Sequence, residues 1–114
     1  MRELHIIVHE ETVQAYGADD ILKKIQEIKS SGKDYLEFGM YDEWTKLHPN
    51  MPPVSDDLLV FVSGAKKKDC VAHQLLALKN AGYNSRYNHE ACFQGMDSPG
   101  LGEWVLDLHP DFYD

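Results

Sequence analysis

Residues 58–63 have the sequence Leu58-Leu59-Val60-Phe61-Val62-Ser63, which is the most apolar run in the chain. Apolar side chains on both sides of a strand are typical of a central strand that is covered on both faces. The run ends at Gly64, and apolar residues at helical spacing follow over about residues 66–81. A buried strand that leads directly into a helix indicates an α/β fold.

The rest of the chain repeats this alternation. Further strands are predicted at residues 4–9, 35–40, 83–91 and 103–108, a second main helix at 18–31, a connection at 12–17 and a short helix from Asp42. Because crossovers between parallel strands are right-handed, this order favours a three-layer, mostly parallel sheet of about five strands with two main helices. The alternative is a ferredoxin-like α+β sandwich, with both helices on one face of an antiparallel sheet.

Length and charge limit the possible classes of protein. The chain has 114 residues, enough for a single α/β domain over residues 1–114. Its formal net charge of −8 argues against a nucleic-acid partner, because phosphate binding needs a basic surface. No stretch approaches the roughly 20 apolar residues of a membrane span, and the start of the chain is typical of a strand rather than a signal peptide. We therefore expect a cytoplasmic protein without a membrane partner, with reduced cysteines.

The turn after the apolar strand is the first candidate site. Cys70 is predicted in the first turn of the following helix, where the helix dipole and three preceding lysines favour the thiolate. Ligands of α/β folds bind at the carboxyl ends of the strands. A structural alternative is that Cys70 simply packs the start of the helix. The candidate ligand-binding residues are Gly64, Ala65, Lys66, Lys67 and Lys68.

Over about residues 58–92, the segment resembles the nucleophile region of isochorismatase-like cysteine hydrolases. The shared features are Gly64 before Cys70-Val71, Gly82-Tyr83 at the helix end, and Glu90-Ala91 after the next strand. The resemblance implies a hydrolase with Cys70 as nucleophile, and backbone N–H groups of residues 64–68 would then stabilise an oxyanion. The family's catalytic aspartate is replaced at the end of the first strand by His9 and Glu10, the candidate bases. Its catalytic lysine has no clear counterpart between residues 32 and 57.

A second pattern contains two thiols and two imidazoles, the ligand types that tetrahedral zinc prefers. The members of each pair lie three positions apart, so a helical pair shares a face, whereas a strand pair converges only if the chain turns. The alternative is that these are surface histidines near unrelated thiols. The candidate metal ligands are Cys70, His73, His89 and Cys92.

Three functional hypotheses follow. The leading one is a small α/β module that binds a protein or a small ligand. The second is a cysteine-dependent hydrolase, possibly degenerate, in which Cys70 acts with His9 or Glu10. The third is a small zinc-binding module. The oligomeric state stays open.

Overall fold

The computed structural model describes residues 2–94. Strands and helices alternate along this part of the chain, as the apolar pattern predicts. The strands are β1 (Arg2–Val8), β2 (Asp34–Phe38), β3 (Leu58–Ala65) and β4 (Asn84–Phe93), and the helices are α1 (Glu10–Ala15), α2 (Asp19–Ser30) and α3 (Cys70–Asn80).

The four strands form one sheet in the order β2-β1-β3-β4, and every neighbouring pair is parallel. This confirms a parallel α/β sheet and shows that the antiparallel ferredoxin-like alternative is wrong for residues 2–94. The described residues contain four strands rather than about five. The strand predicted over residues 103–108 lies outside the described residues.

Side chains of β1 alternate between two apolar clusters, one on each face of the sheet. On one face, Ile7 packs with Val13 of α1 and with Ile25 and Ile28 of α2. On the other face, Ile6 and its neighbours pack against α3. Helices therefore cover both faces, which gives three layers. The α3 residues in that second cluster are Val71, Ala72, Leu75 and Leu78.

Strand β3 is the central strand that its apolar sequence predicts. It lies between β1 and β4, and its residues Leu58, Val60 and Val62 are almost completely buried. Full burial of each such side chain stabilises the fold by roughly 1.5–3 kcal/mol. Gly64 of β3 pairs with Val8 of β1 and has a φ of +114°, and a Cβ there would clash with the Val8 backbone.

Two local predictions are wrong. A connection is predicted at residues 12–17, but α1 begins at Glu10, and residues 2–94 contain three helices, not two. With six residues and Val13 as its only buried side chain, α1 is too short to show a helical period in the sequence. No helix begins at Asp42. Its carboxylate accepts the N–H of Gly39, which precedes it, instead of the N–H groups of the residues that follow. Within residues 2–94, no helix has the length and apolar character needed to cross a membrane.

The connection between β2 and β3 covers part of the α3 face without a helix. Trp44, Leu47 and Met51 pack against the apolar cluster on that face. The buried amide of Gln74 on α3 donates to the carbonyl oxygens of Trp44 at 2.6 Å and Lys46 at 2.9 Å. These bonds hold the loop against the helix, so its conformation depends on a residue far away in sequence.

Candidate functional site

The strand order produces a topological switch point at the carboxyl edge of the sheet. The chain after β1 runs to β2 over one face, whereas the chain after β3 runs to β4 over the other face. Open α/β sheets bind their ligands in the crevice at such a point. The residues that follow the first three strands here are His9, Gly39 and Lys66.

A cleft of about 400 Å³ opens at this edge, beside α1, α2 and the end of β2. Its volume falls in the range of small-molecule sites, roughly 300–1,000 Å³. Ile7 and Phe38 supply its apolar lining, and the backbone of Gly39 reaches it. Its charged lining residues are the carboxylates Glu10, Glu11, Glu37 and Asp42 together with Lys29.

Lys29 is bound by two of these carboxylates. Its ammonium group donates to Glu10 and pairs with Glu37, and Glu10 also accepts a hydrogen bond from Gln26. Burial alone would lower the pKa of Lys29, but the hydrogen bonds that Lys29 donates to both carboxylates outweigh it and the pKa is raised. Glu10 was a predicted catalytic base. Its carboxylate bonds Lys29 and Gln26 in this structure, so it would have to leave these partners to act as a base.

Glu11 and Asp42 meet at the turn that follows β2. Oδ2 of Asp42 accepts the N–H of Gly39 at 2.6 Å, and Oε2 of Glu11 accepts the N–H of Met40 at 3.0 Å. A Cβ placed on Gly39 would lie 3.3 Å from the first oxygen and 3.6 Å from the second. Two carboxylates from different elements therefore converge on one exposed turn.

His9 occupies the end of β1 in a strained conformation. Its φ of 54° and ψ of 55° lie in the left-handed region, which costs an L-residue roughly 1–2 kcal/mol. Its N–H donates to the carbonyl of Phe38 at 2.9 Å, and its own carbonyl accepts the N–H of Thr12 at 3.0 Å. These bonds join β1, β2 and α1 and hold the residue in this conformation.

The His9 imidazole is 6% exposed and contacts the Trp44 ring edge-to-face at 5.0 Å, and Nε2 has no hydrogen-bond partner among residues 2–94. Burial lowers its pKa, and the charges of Glu11 and Asp42 and a backbone hydrogen bond with Gly39 only partly oppose this. A neutral imidazole is therefore favoured, with an unsatisfied nitrogen. Buried polar groups without partners are rare, and strained residues concentrate at functional sites.

Cys70 begins α3, as predicted, and is partly exposed. Burial raises the pKa of its thiol, and the Asp69 carboxylate raises it further. The backbone N–H groups of Lys66 and Cys70 and the Lys66 charge act in the opposite direction without outweighing these effects. Burial and Asp69 therefore work against the thiolate that the helix start and the lysines predict. Cys70 packs against the α3-side cluster, whereas Glu10 is bonded to α2, so the two belong to opposite faces.

The predicted oxyanion donors are largely occupied. The N–H of Lys67 donates to the carbonyl of Phe93 at 3.0 Å, and the N–H of Lys68 donates to Oε1 of Gln94 at 2.8 Å. Ala65 is fully buried within β3. These contacts fix the turn instead of leaving its N–H groups open to a substrate.

The lysine side chains next to this turn diverge. The ammonium of Lys66 lies over the ring of Tyr16 at 5.7 Å, and that of Lys67 lies over the ring of Tyr87 at 5.5 Å. Tyr16 follows α1 on one side of the sheet, and Tyr87 packs in the α3-side cluster on the other. Lys66 and Lys67 therefore do not form one basic patch.

Cys92 is a core residue. Its thiol contacts the carbonyl of Val62 at 3.5 Å, and burial raises its pKa to about 12. A thiol in this state is unsuited to binding zinc, because the metal ligand is the thiolate.

The other predicted metal ligands have different neighbours. Nε2 of His73 lies 3.8 Å from Oδ1 of Asp69, and the ring of His89 stacks on Tyr87 with centroids 5.6 Å apart. Across residues 2–94, no three His, Cys, Asp or Glu side chains form a group that could hold a metal ion. The structure therefore does not bring together Cys70, His73, His89 and Cys92.

The sequence interpretation found His9 but missed its neighbours. Glu11, Gly39 and Asp42 all lie within a few residues of a strand end, which is the signal that would have marked them. The separation of Glu11 and Asp42 in sequence concealed their convergence. Comparison of the chain with family models, with curated proteins and with solved structures gives no match.

Proposed function

We propose that this domain is a binding module for a small polar ligand, which it holds in the cleft at the carboxyl ends of β1 and β2. The observation that carries the proposal is the state of His9, a strained and buried histidine at the switch point whose Nε2 has no partner among residues 2–94. The neighbouring cleft, which His9 itself does not line, has the volume of a small-molecule site and is lined mainly by charged groups. Of the earlier hypotheses, small-ligand binding is therefore the one that this arrangement favours.

A reducing compartment such as the cytoplasm fits this proposal. Both cysteines are free thiols, one partly exposed and one buried. Proteins of oxidising compartments commonly pair their cysteines.

The test is a thermal-shift screen of small cationic, anionic and neutral metabolites against the wild-type protein and a His9→Asn variant. Asparagine tolerates the left-handed conformation, so this change removes the imidazole with little backbone cost. A ligand at about 100 times its Kd should stabilise the wild type by about 2.7 kcal/mol, and the variant by clearly less.

His89→Asn provides the matched control, because His89 is exposed on β4 away from the cleft. It should respond to each compound as the wild type does. The melting temperature of each variant without ligand reports whether it folds. If no class of compound stabilises the wild type, or if His9→Asn responds in full, the proposed site is wrong.

A further inference from the structure

The charges of the cleft restrict the ligand that it can hold. Lys29 is the one cationic lining residue, and Glu10 and Glu37 already bind it. Glu11 and Asp42 form no ion pair with residues 2–94. The cleft therefore keeps an excess of negative charge, which attracts cations and repels anions.

The two uncompensated carboxylates lie close together. Oε2 of Glu11 and Oδ2 of Asp42 both lie within 3.6 Å of a single point, the position of a Cβ on Gly39. Each of these oxygens accepts one backbone N–H, whereas Oε1 and Oδ1 make no hydrogen bond with residues 2–94. Two like charges at short range repel each other, and a cation between them removes that repulsion.

The buried His9 imidazole adjoins this pair. His9 is more than nine-tenths buried, Nε2 has no partner among residues 2–94, and its ring lies beside the Gly39 turn and the charges of Glu11 and Asp42. His9 does not line the cleft and Nε2 has almost no exposed surface, so a ligand in the cleft reaches the two carboxylates and not this nitrogen. The turn therefore presents two exposed anionic acceptors beside a buried neutral imidazole.

This combination distinguishes between kinds of cation. Residues 2–94 contain no group of three side chains suited to a metal ion. An alkylammonium group carries three N–H donors and a guanidinium carries several in a plane, and both form charge-assisted hydrogen bonds with carboxylates. The cleft also has room for the carbon chain of such a molecule.

We infer that the ligand is a small organic cation, an alkylammonium or guanidinium compound, held by the carboxylates of Glu11 and Asp42 beside His9. This inference rests on the small-ligand site proposed above. It adds the charge and the hydrogen-bonding character of the molecule that the site accepts.

The test is calorimetric titration of the folded chain with four probes of similar size. These probes are 1,4-diaminobutane, methylguanidine, the neutral 1,4-butanediol and the anion succinate. One or both of the cations should bind, the diol and succinate should not, and affinity should fall as salt approaches about 0.15 M, where the Debye length is about 8 Å.

The variants locate the bound cation. Glu11→Gln combined with Asp42→Asn should weaken binding about tenfold or more, because two charge-assisted contacts are lost. Both side chains are exposed, so the fold should tolerate the change, and Glu11→Gln alone provides a milder version. The control is Glu27→Gln with Asp56→Asn, which makes the same change in net charge at exposed positions outside this cleft. It should alter affinity by less than about twofold.

Two outcomes would overturn the inference in different ways. If the diol or succinate binds and His9→Asn abolishes that binding, the ligand site stands but its ligand is not a cation. If the cations bind equally well to the Glu11/Asp42 double variant, they bind elsewhere and this assignment is wrong. Absence of binding by all four probes, together with a negative compound screen, would overturn both the inference and the proposed function.

Discussion

At Gly64 the backbones of β1 and β3 leave no space for a side chain. A Cβ there would lie 1.9 Å from the carbonyl oxygen of Val8, and the φ of +114° is itself unfavourable for other residues. Gly64→Ala should therefore lower the free energy of unfolding by roughly 3 kcal/mol or more, measured by urea denaturation. Gly17→Ala is the control, because its φ is +67° with nothing within 4 Å, so only about 1–2 kcal/mol should be lost. Equal losses in the two variants would contradict the close approach.

His5 should make the stability depend on pH. It is buried and stacks on Phe61 at 5.4 Å, and within the described part of the chain neither ring nitrogen has a hydrogen-bond partner. Burial and the charge of Lys33 lower its pKa, with Glu3 opposing them. The unfolded chain therefore binds a proton more readily than the folded one, so stability is full above about pH 6.5 and falls as pH drops below that value.

His5→Phe removes this titration while keeping an aromatic ring against Phe61. Its free energy of unfolding should fall less steeply than that of the wild type between pH 7.5 and 5. A residual slope is expected, because burial lowers the pKa of His9 as well. Identical slopes for the variant and the wild type would show that His5 is not held neutral.

The two thiols should differ in reactivity. Cys70 is partly exposed but its pKa is raised, and Cys92 is buried with a pKa of about 12. In iodoacetamide labelling near neutral pH, Cys70 should react more slowly than a free peptide thiol, and Cys92 should react only when the protein unfolds. Labelling of Cys70 faster than the free thiol would restore the cysteine-hydrolase hypothesis.

At the scale of elements, Lys29 ties α1, α2 and β2 together through Glu10 and Glu37. Lys29→Met would leave these carboxylates side by side without a cation. We expect a loss of about 1–3 kcal/mol in the free energy of unfolding, since both Glu10 and Lys29 are largely shielded from water. Lys24→Met is the comparison, because its pairs with Glu27 and Glu90 are exposed and 3.8 Å long, and it should cost less than about 1 kcal/mol. A similar cost for both would refute the role of this triad.

The elements best predicted from the sequence are those with long apolar patterns. The run at 58–63 became the buried strand β3, and the helical pattern at 66–81 became α3. The helix α1 was missed because six residues with one buried side chain carry no period. The loop after β2 was predicted wrongly for two reasons. Asp42 accepts the N–H of Gly39, which precedes it, instead of capping a following helix, and Gln74 holds the loop from about 30 residues away in sequence.

The site was harder to predict, for electrostatic reasons. A cysteine at the start of a helix near lysines suggests a thiolate, but that pattern says nothing of burial, which dominates at Cys70. The Cys/His pattern likewise gave the spacing of the four candidate metal ligands but not the directions of their side chains. Cys92, for example, faces the core. His9 could be found because it ends a strand. Its partners Glu11 and Asp42 come from different elements and meet only in the folded chain.

For the whole molecule, part of the excess negative charge is concentrated in one place. The chain has 19 acidic residues against 11 lysines and arginines, and four of its carboxylates line one cleft at the switch point. The proposed cation site therefore lies where several of the acidic residues are concentrated.

The most direct measurement follows the backbone amides of Gly39 and Met40 by NMR while 1,4-diaminobutane is added. These amides donate to Asp42 and Glu11, so they should shift along one saturable curve. The amides of Gly32 and Gly82, at the opposite edge of the sheet, should stay unchanged. Unchanged Gly39 and Met40 signals, or shifts spread evenly over the protein, would contradict a ligand site at this turn.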